Sequence, residues 1–197
     1  MIGSTRNIRI LSNPLHVLTA MVLLLAVDVS ARLLPHDPNA TPLGASALFA
    51  GFLMNRRWTA VLVPIMSLLI SDFIIGMYDW RIMLVVYASL ALPALVGRLG
   101  RANALILGGL ALGSSLLFFL ATNFAVWFFS GMYAANLGGL LQCYLAAWPF
   151  FKSTLRGDLF WTTSFVAAYI LVQAALTKQL KRQLDARSAS NHLGITI

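Results

Sequence analysis

The run Leu137-Gly-Gly-Leu-Leu-Gln-Cys-Tyr-Leu-Ala-Ala-Trp-Pro-Phe-Phe151, closed by Lys152, decides the fold. If it crosses a bilayer, everything after it changes sides and the chain has seven spans. It falls short of the about 20 apolar residues that a crossing helix needs. It also contains Gln142 and Pro149 and opens on Gly138 and Gly139. Segments 137–151 and 158–178 are therefore read separately, the first as a re-entrant or interfacial helix inside a long outer loop, 130–157. Non-helical backbone at membrane depth survives only where protein covers it.

The basic residues argue for the same parity. Arg6 and Arg9 precede the first apolar stretch, and Arg56 and Arg57 separate the second from the third. Arg98 and Arg101 separate the fourth from the fifth, while Lys178, Lys181, Arg182 and Arg187 follow the last. Loops rich in Lys and Arg stay cytoplasmic. Every second connection being basic predicts an all-α integral membrane protein with six spans, in a bacterial inner membrane with both termini cytoplasmic. The expected spans are 15–34, 44–55, 58–77, 82–98, 103–129 and 158–178, within a single membrane domain, 1–197. Loop 35–43 and loop 130–157 then face outward.

Composition narrows the class. With 59% hydrophobic and 10% charged residues and a mean hydropathy of +0.82, a soluble domain is excluded. The formal charge of +8 follows topology rather than a patch on one folded face, which speaks against nucleic acid. One cysteine excludes an internal disulfide framework. The amino-terminal run also matches a signal peptide, with Val29-Ser30-Ala31 as a cleavage site. The apolar run continues through Leu33 and Leu34, however, and Asp28 and Arg32 are spaced to pair one turn apart. An uncleaved first span is the reading.

Span-level features follow. The second span is short and rich in small residues (Gly44, Ala45, Ala47, Ala50, Gly51), which suits burial inside a bundle. The loop before it, 35–42, holds three prolines in eight residues and reads as a stiff lid. In the fifth span Gly108, Gly109, Gly113, Ser114 and Ser115 read as a close-packing surface.

No enzyme is expected. There is no G-x-x-x-x-G-K loop and no glutamate, the zinc spacings are absent, and no serine has a His–Asp partner set. No cofactor is called for. What remains is a set of polar and aromatic residues at the outer ends of the spans. Phe119, Asn123 and Trp127, four apart, share one helical face. Interfacial anchoring is the alternative for the two aromatics, but an intramembrane amide must find a partner. Asp72 is either salt-bridged, to Arg32 or Arg81, or in contact with a ligand. Tyr78, Tyr144, His36 and Asn39 complete the expected substrate site, with Asn123 and Trp127 as one wall, His36 and Asn39 in the lid and Tyr144 opposite. Cys143 and His36 are the two candidate soft metal ligands.

Several strings resemble small bacterial membrane proteins related to the substrate-binding S components of energy-coupling-factor vitamin transporters. They are Asn39-Ala40-Thr41-Pro42-Leu43-Gly44-Ala45, Ser71-Asp72-x-x-x-Gly76, the run Phe118 to Trp127 containing Thr122 and Asn123, and Gly139-Leu140-x-x-Cys143-Tyr144 continuing to Pro149-Phe150-Phe151. The likeness runs from about residue 32 to residue 170 and is nearest the BtuM-type cobalamin-uptake proteins. It implies an S-component-like six-helix bundle with an outer cavity closed by the loops after spans one, three and five. It also implies uptake of a vitamin-class small molecule, cobalamin or a related corrinoid first, with Cys143 or His36 as a possible cobalt ligand. An ATPase and a coupling membrane subunit would be the partners, beside the lipid bilayer. The chain departs from such relatives in the third-span loop, where Tyr78, Asp79 and Trp80 stand without a cysteine. It departs again in the first span, where Leu24 follows Ala20 in place of an Ala-x-x-x-Ala pair. The competing class is a structural membrane protein of the rod-shape MreD type, without a ligand; a lipid-acting enzyme is third.

Overall fold

The computed structural model describes residues 14–35, 40–54, 56–101 and 104–192. Among these, six α-helices follow one another: α1 Pro14–Leu33, α2 Leu43–Leu53, α3 Arg57–Ile75, α4 Trp80–Val96, α5 Ala104–Phe129 and α6 Leu137–His192, with a 3-10 turn Gly97–Arg101 between α4 and α5. Five of them are long and apolar enough to cross a membrane. This is an all-helical membrane protein.

The helix α2 is the hub. It has 11 residues, about 16 Å of rise at 1.5 Å per residue, or roughly half of a 30 Å hydrocarbon core. Leu43 and every residue from Ala45 to Gly51 are buried, as expected of a helix that is apolar on all sides. Two glycines let it approach α4 at backbone contact: a Cβ on Gly51 would collide with the Ala94 carbonyl, and one on Gly97 with the Leu48 carbonyl. Leu24, Phe49, Met54, Ala60, Val63 and Ala94 form the largest apolar cluster around it, with Phe165 of α6 stacked on Phe49 and Tyr169 edge-on to Phe52.

Because α2 is short, the chain before it must descend into the bundle. Pro42 is fully buried, and the Ala40 carbonyl accepts a hydrogen bond from Trp161 Nε1 at 3.4 Å. The segment 40–42, expected as part of an exposed loop, is thus packed between helices, the condition under which irregular backbone is tolerated at depth.

The largest difference from expectation is α6. The run 137–151 and the span 158–178 are one continuous helix of 56 residues, about 84 Å long. The separate re-entrant segment is not seen. Pro149 removes one backbone donor but leaves the helix unbroken, as Pro64 and Pro93 do in α3 and α4; in tightly packed membrane helices neighbours compensate the lost bond. The helix runs antiparallel to α5. Tyr144 bonds to Leu120, Asp158 to Ser115, and Val166 packs near Leu107 and Ala111. Its last turns, with Lys178, Lys181 and Arg182, therefore extend past the end where Arg56, Arg57 and Arg98 lie. We call that the basic end. The α3–α4 and α5–α6 turns lie at the other.

A second difference concerns α5. A Cβ on Gly108, Gly109 or Gly113 would meet nothing within 4 Å, so this face is not a packing surface within the chain. The side of α5 that packs carries Leu107, Ala111, Ser115, Phe119, Thr122 and Ala125, a neighbouring stripe whose small residues touch α2 and α6.

Candidate functional site

The half-length of α2 leaves a void above its N-terminus, in the half of the bundle away from the basic end. Two adjoining chambers fill it, of about 250 Å³ and 380 Å³. Tyr78, Val86, Phe118 and Thr154 line both and form their shared wall. The deeper chamber adds Arg32, Thr41, Gly44 and Asp158; the other adds Phe119, Thr122, Asn123 and Phe151. An apolar wall with a few converging polar groups is the usual make-up of a small-molecule site.

Each polar group is held by its own element. Asp158, from the middle of α6, sits over the first turn of α2. Its Oδ2 accepts from Ser115 Oγ at 2.6 Å and from the Ala45 backbone N–H. Residue Pro42 provides no side-chain cap, so this carboxylate from another helix satisfies donors that the start of α2 leaves open. Only glycine fits beneath it, since a Cβ on Gly44 would lie 2.5 Å from Asp158 Oδ1.

Arg32, at the end of α1, is aimed by Asp72: Nη2 donates to Asp72 Oδ1 at 2.6 Å. The other oxygen, Oδ2, accepts from Tyr87 O–H at 3.0 Å. The expected Asp28–Arg32 pair is therefore replaced by Arg32–Asp72, which ties α1 to α3. Asp28 instead accepts from Ser46 and Ser67. Tyr78 lies in the α3–α4 turn. Burial, with the Asp72 carboxylate adding to it, pushes its phenol up to about 12, so it presents an intact O–H to both chambers at neutral pH.

Of the residues singled out from sequence, Asn123, Phe119 and Tyr78 line the cavity. Phe119 is also wedged against Tyr144 and Phe151, with ring centroids 5.5 and 4.7 Å away. Asn123 spends one amide hydrogen on the Phe119 carbonyl, at 2.7 Å. Trp127 does not join it in the wall: its Nε1 donates to the Ala134 carbonyl at 3.0 Å, clasping the α5–α6 turn, because the face carried by 119 and 123 rotates away from the void by the next turn. Tyr144 likewise lines neither chamber, its O–H being donated to the Leu120 carbonyl at 2.7 Å. Asp72 sits behind Arg32 rather than on the cavity surface. Cys143 is buried, with Sγ 3.4 Å from the Asn123 carbonyl, and among the described residues no group of three His, Cys, Asp or Glu side chains could hold a metal. His36 and Asn39 lie outside the described residues.

Sequence reading missed Asp158, Thr154 and Phe118. Asp158 had a signal. It is one of six acids in the chain and stands where the largely polar run from Lys152 to Gly157 gives way to Leu159, Phe160 and Trp161, and acids at membrane depth mark sites.

No curated protein and no solved structure matches this chain. A family model described as a family of unknown function, DUF6580, matches residues 11–181, and the chain belongs to that family.

Proposed function

We propose that this chain is a membrane binding and uptake protein for a vitamin-class small molecule, captured in the cavity above α2. The observation that carries the reading is the pair of adjoining chambers lined by Arg32, Tyr78, Asn123, Thr154 and Asp158 in otherwise apolar walls. The likeness to S components supports the same placement. Chambers of 250 and 380 Å³ lie below and just above the lower bound of the roughly 300–1,000 Å³ usual for ligand pockets. That supports a compact heteroaromatic vitamin over a full corrinoid. The carboxylate of Asp158 and the guanidinium of Arg32 at the deep end suit a ligand carrying both hydrogen-bond donors and acceptors.

The orientation belongs to the same proposal. With the basic end cytoplasmic, both termini are inside a bacterial inner membrane and the cavity faces out. The chain has no nucleotide-binding loop, so any energy from ATP comes from a separate ATPase with a coupling subunit.

Thermal unfolding of the purified chain in lipid nanodiscs, against a panel of water-soluble vitamins including cobalamin, tests the reading. A ligand at a hundredfold excess over its Kd stabilises by about 2.7 kcal/mol, a readily measured rise in Tm. We expect one small ring compound to give it. A response to cobalamin alone would overturn the size argument. No response from any vitamin, with the fold intact, would favour the structural MreD-type reading.

A further inference from the structure

We propose that Asp28 is a membrane-embedded proton-binding site, carrying its proton while α1 is docked and exchanging it with the cavity through Ser46. The proposal is independent of what the cavity binds. Asp28 is fully buried where α1 meets α2 and α3. Its Oδ2 lies 2.6 Å from Ser46 Oγ and 2.9 Å from Ser67 Oγ. Among the described residues, its Oδ1 has no hydrogen-bond partner.

The charges on the packed elements do not balance. On α1 the neighbouring charge is Arg32, whose guanidinium is committed to Asp72 on α3 at 2.6 Å. Between them these three helices bring two carboxylates and one guanidinium to mid-bundle, and α2 has no ionisable residue at all. One negative charge is left over. A buried carboxylate without a cation is costly enough that it neutralises instead.

Hydroxyl geometry says how. Ser46 Oγ lies within hydrogen-bonding distance of two acceptors, Asp28 Oδ2 and the Leu43 carbonyl at 3.1 Å. A hydroxyl has one hydrogen to give, so an ionised Asp28 leaves one of these contacts unmade. With a proton on Oδ2, Asp28 donates to Ser46 and Ser46 donates to Leu43, while Ser67 still donates to Oδ2. The orphan Oδ1 is then a carbonyl oxygen, the cheapest group to leave bare. The turn that carries Ser46 also carries Leu43 and Gly44, which line the deeper chamber, so for release Ser46 must turn its hydrogen from the Leu43 carbonyl to a water admitted from there and take the proton of Asp28 in exchange. On release, the proton passes from Oδ2 through Ser46 to cavity water and leaves the carboxylate behind.

Infrared spectroscopy of the full chain in lipid nanodiscs reads this directly. At neutral pH we expect a protonated-carboxyl C=O band that is lost in Asp28→Asn and retained in Asp158→Asn. Should Asp28→Asn fail to accumulate, Ser67→Ala keeps the acid but removes one hydrogen bond, and the band should shift. Absence of the band in the wild type, its survival in Asp28→Asn, or an unshifted band in Ser67→Ala would each overturn the proposal. Loss of the band on adding sodium at constant pH would assign the site to a metal cation instead.

Discussion

At Gly44 a single hydrogen atom separates the cavity floor from a collision. Alanine there would put a methyl group 2.5 Å from Asp158 Oδ1 and 3.0 Å from Oδ2, and overpacking of this kind costs about 1–3 kcal/mol. Gly44→Ala should lower the Tm of the purified protein, and Asp158→Ala in the same chain should recover part of the loss. If the double variant is no better than the worse single one, the two do not compete for space. Asn123 tests the cavity itself. Its amide faces the chamber while bonded to its own helix, so Asn123→Ala should fold normally. A ligand that used the remaining amide valences should then bind roughly ten- to hundredfold more weakly, the about 1–3 kcal/mol of a lost buried hydrogen bond. Unchanged affinity would remove Asn123 from the site.

Among the elements, α2 and α5 respond to the same substitution in opposite ways. Gly51→Ala pushes a methyl into the Ala94 carbonyl where α2 crosses α4, and backbone cannot step aside as a side chain can. Gly109→Ala and Gly113→Ala meet open space and should change stability by no more than about 0.5 kcal/mol. Parallel thermal melts decide it, and equal losses at 51 and 113 would mean that α5 is packed on that face after all. The start of α4 adds a pH dependence. Asp79 accepts from the Arg81 side chain and backbone N–H, and the Arg81 side chain above all holds its carboxyl down at about 2. A group depressed in the folded state stabilises above its ordinary range and loses that contribution as pH falls toward 2. Acid unfolding of Asp79→Asn should therefore lack a component that the wild type shows below about pH 4; superimposable acid limbs would show the cap to be energetically silent.

For the molecule as a whole, the position of α6 makes topology testable. A helix that starts beside the α5–α6 turn and leaves past the basic end puts residue 187 opposite residue 133. Reporter fusions after Arg187 should read cytoplasmic, and labelling of a cysteine introduced at Tyr133, in a Cys143→Ala background, should occur from outside. Both on one side would break the antiparallel α5–α6 arrangement across the membrane. The cavity depends on this arrangement too. Its walls come from α3 to α6 and the end of α1, and its floor is α2, so the void exists because one helix is much shorter than its neighbours.

Membrane class, helix positions and the gathering of the basic loops at one end of the bundle were legible in sequence. They depend on local sums of hydropathy and charge, which no distant contact alters. The shortness and burial of α2 were legible for the same reason, from its small and apolar residues. Phe119 and Asn123 could be placed on one face because helical periodicity is local, but the limit of that face was not: four-residue spacing drifts round the helix, and Trp127 had already turned to the α5–α6 turn. Whether 137–151 and 158–178 were two helices or one was beyond the sequence, since the cost of Pro149 depends on who packs beside it. The partners of the acids were legible only in part: Arg32 stood among the candidates for Asp72 and is its partner, while the others were hidden. Spacing offered Arg32 to Asp28, yet Arg32 bonds Asp72 forty residues away, and Asp158 caps a helix more than a hundred residues earlier. Hydrogen bonds and ion pairs act over a few ångströms, so which groups meet is set by how the helices pack, and only the tertiary structure decides that.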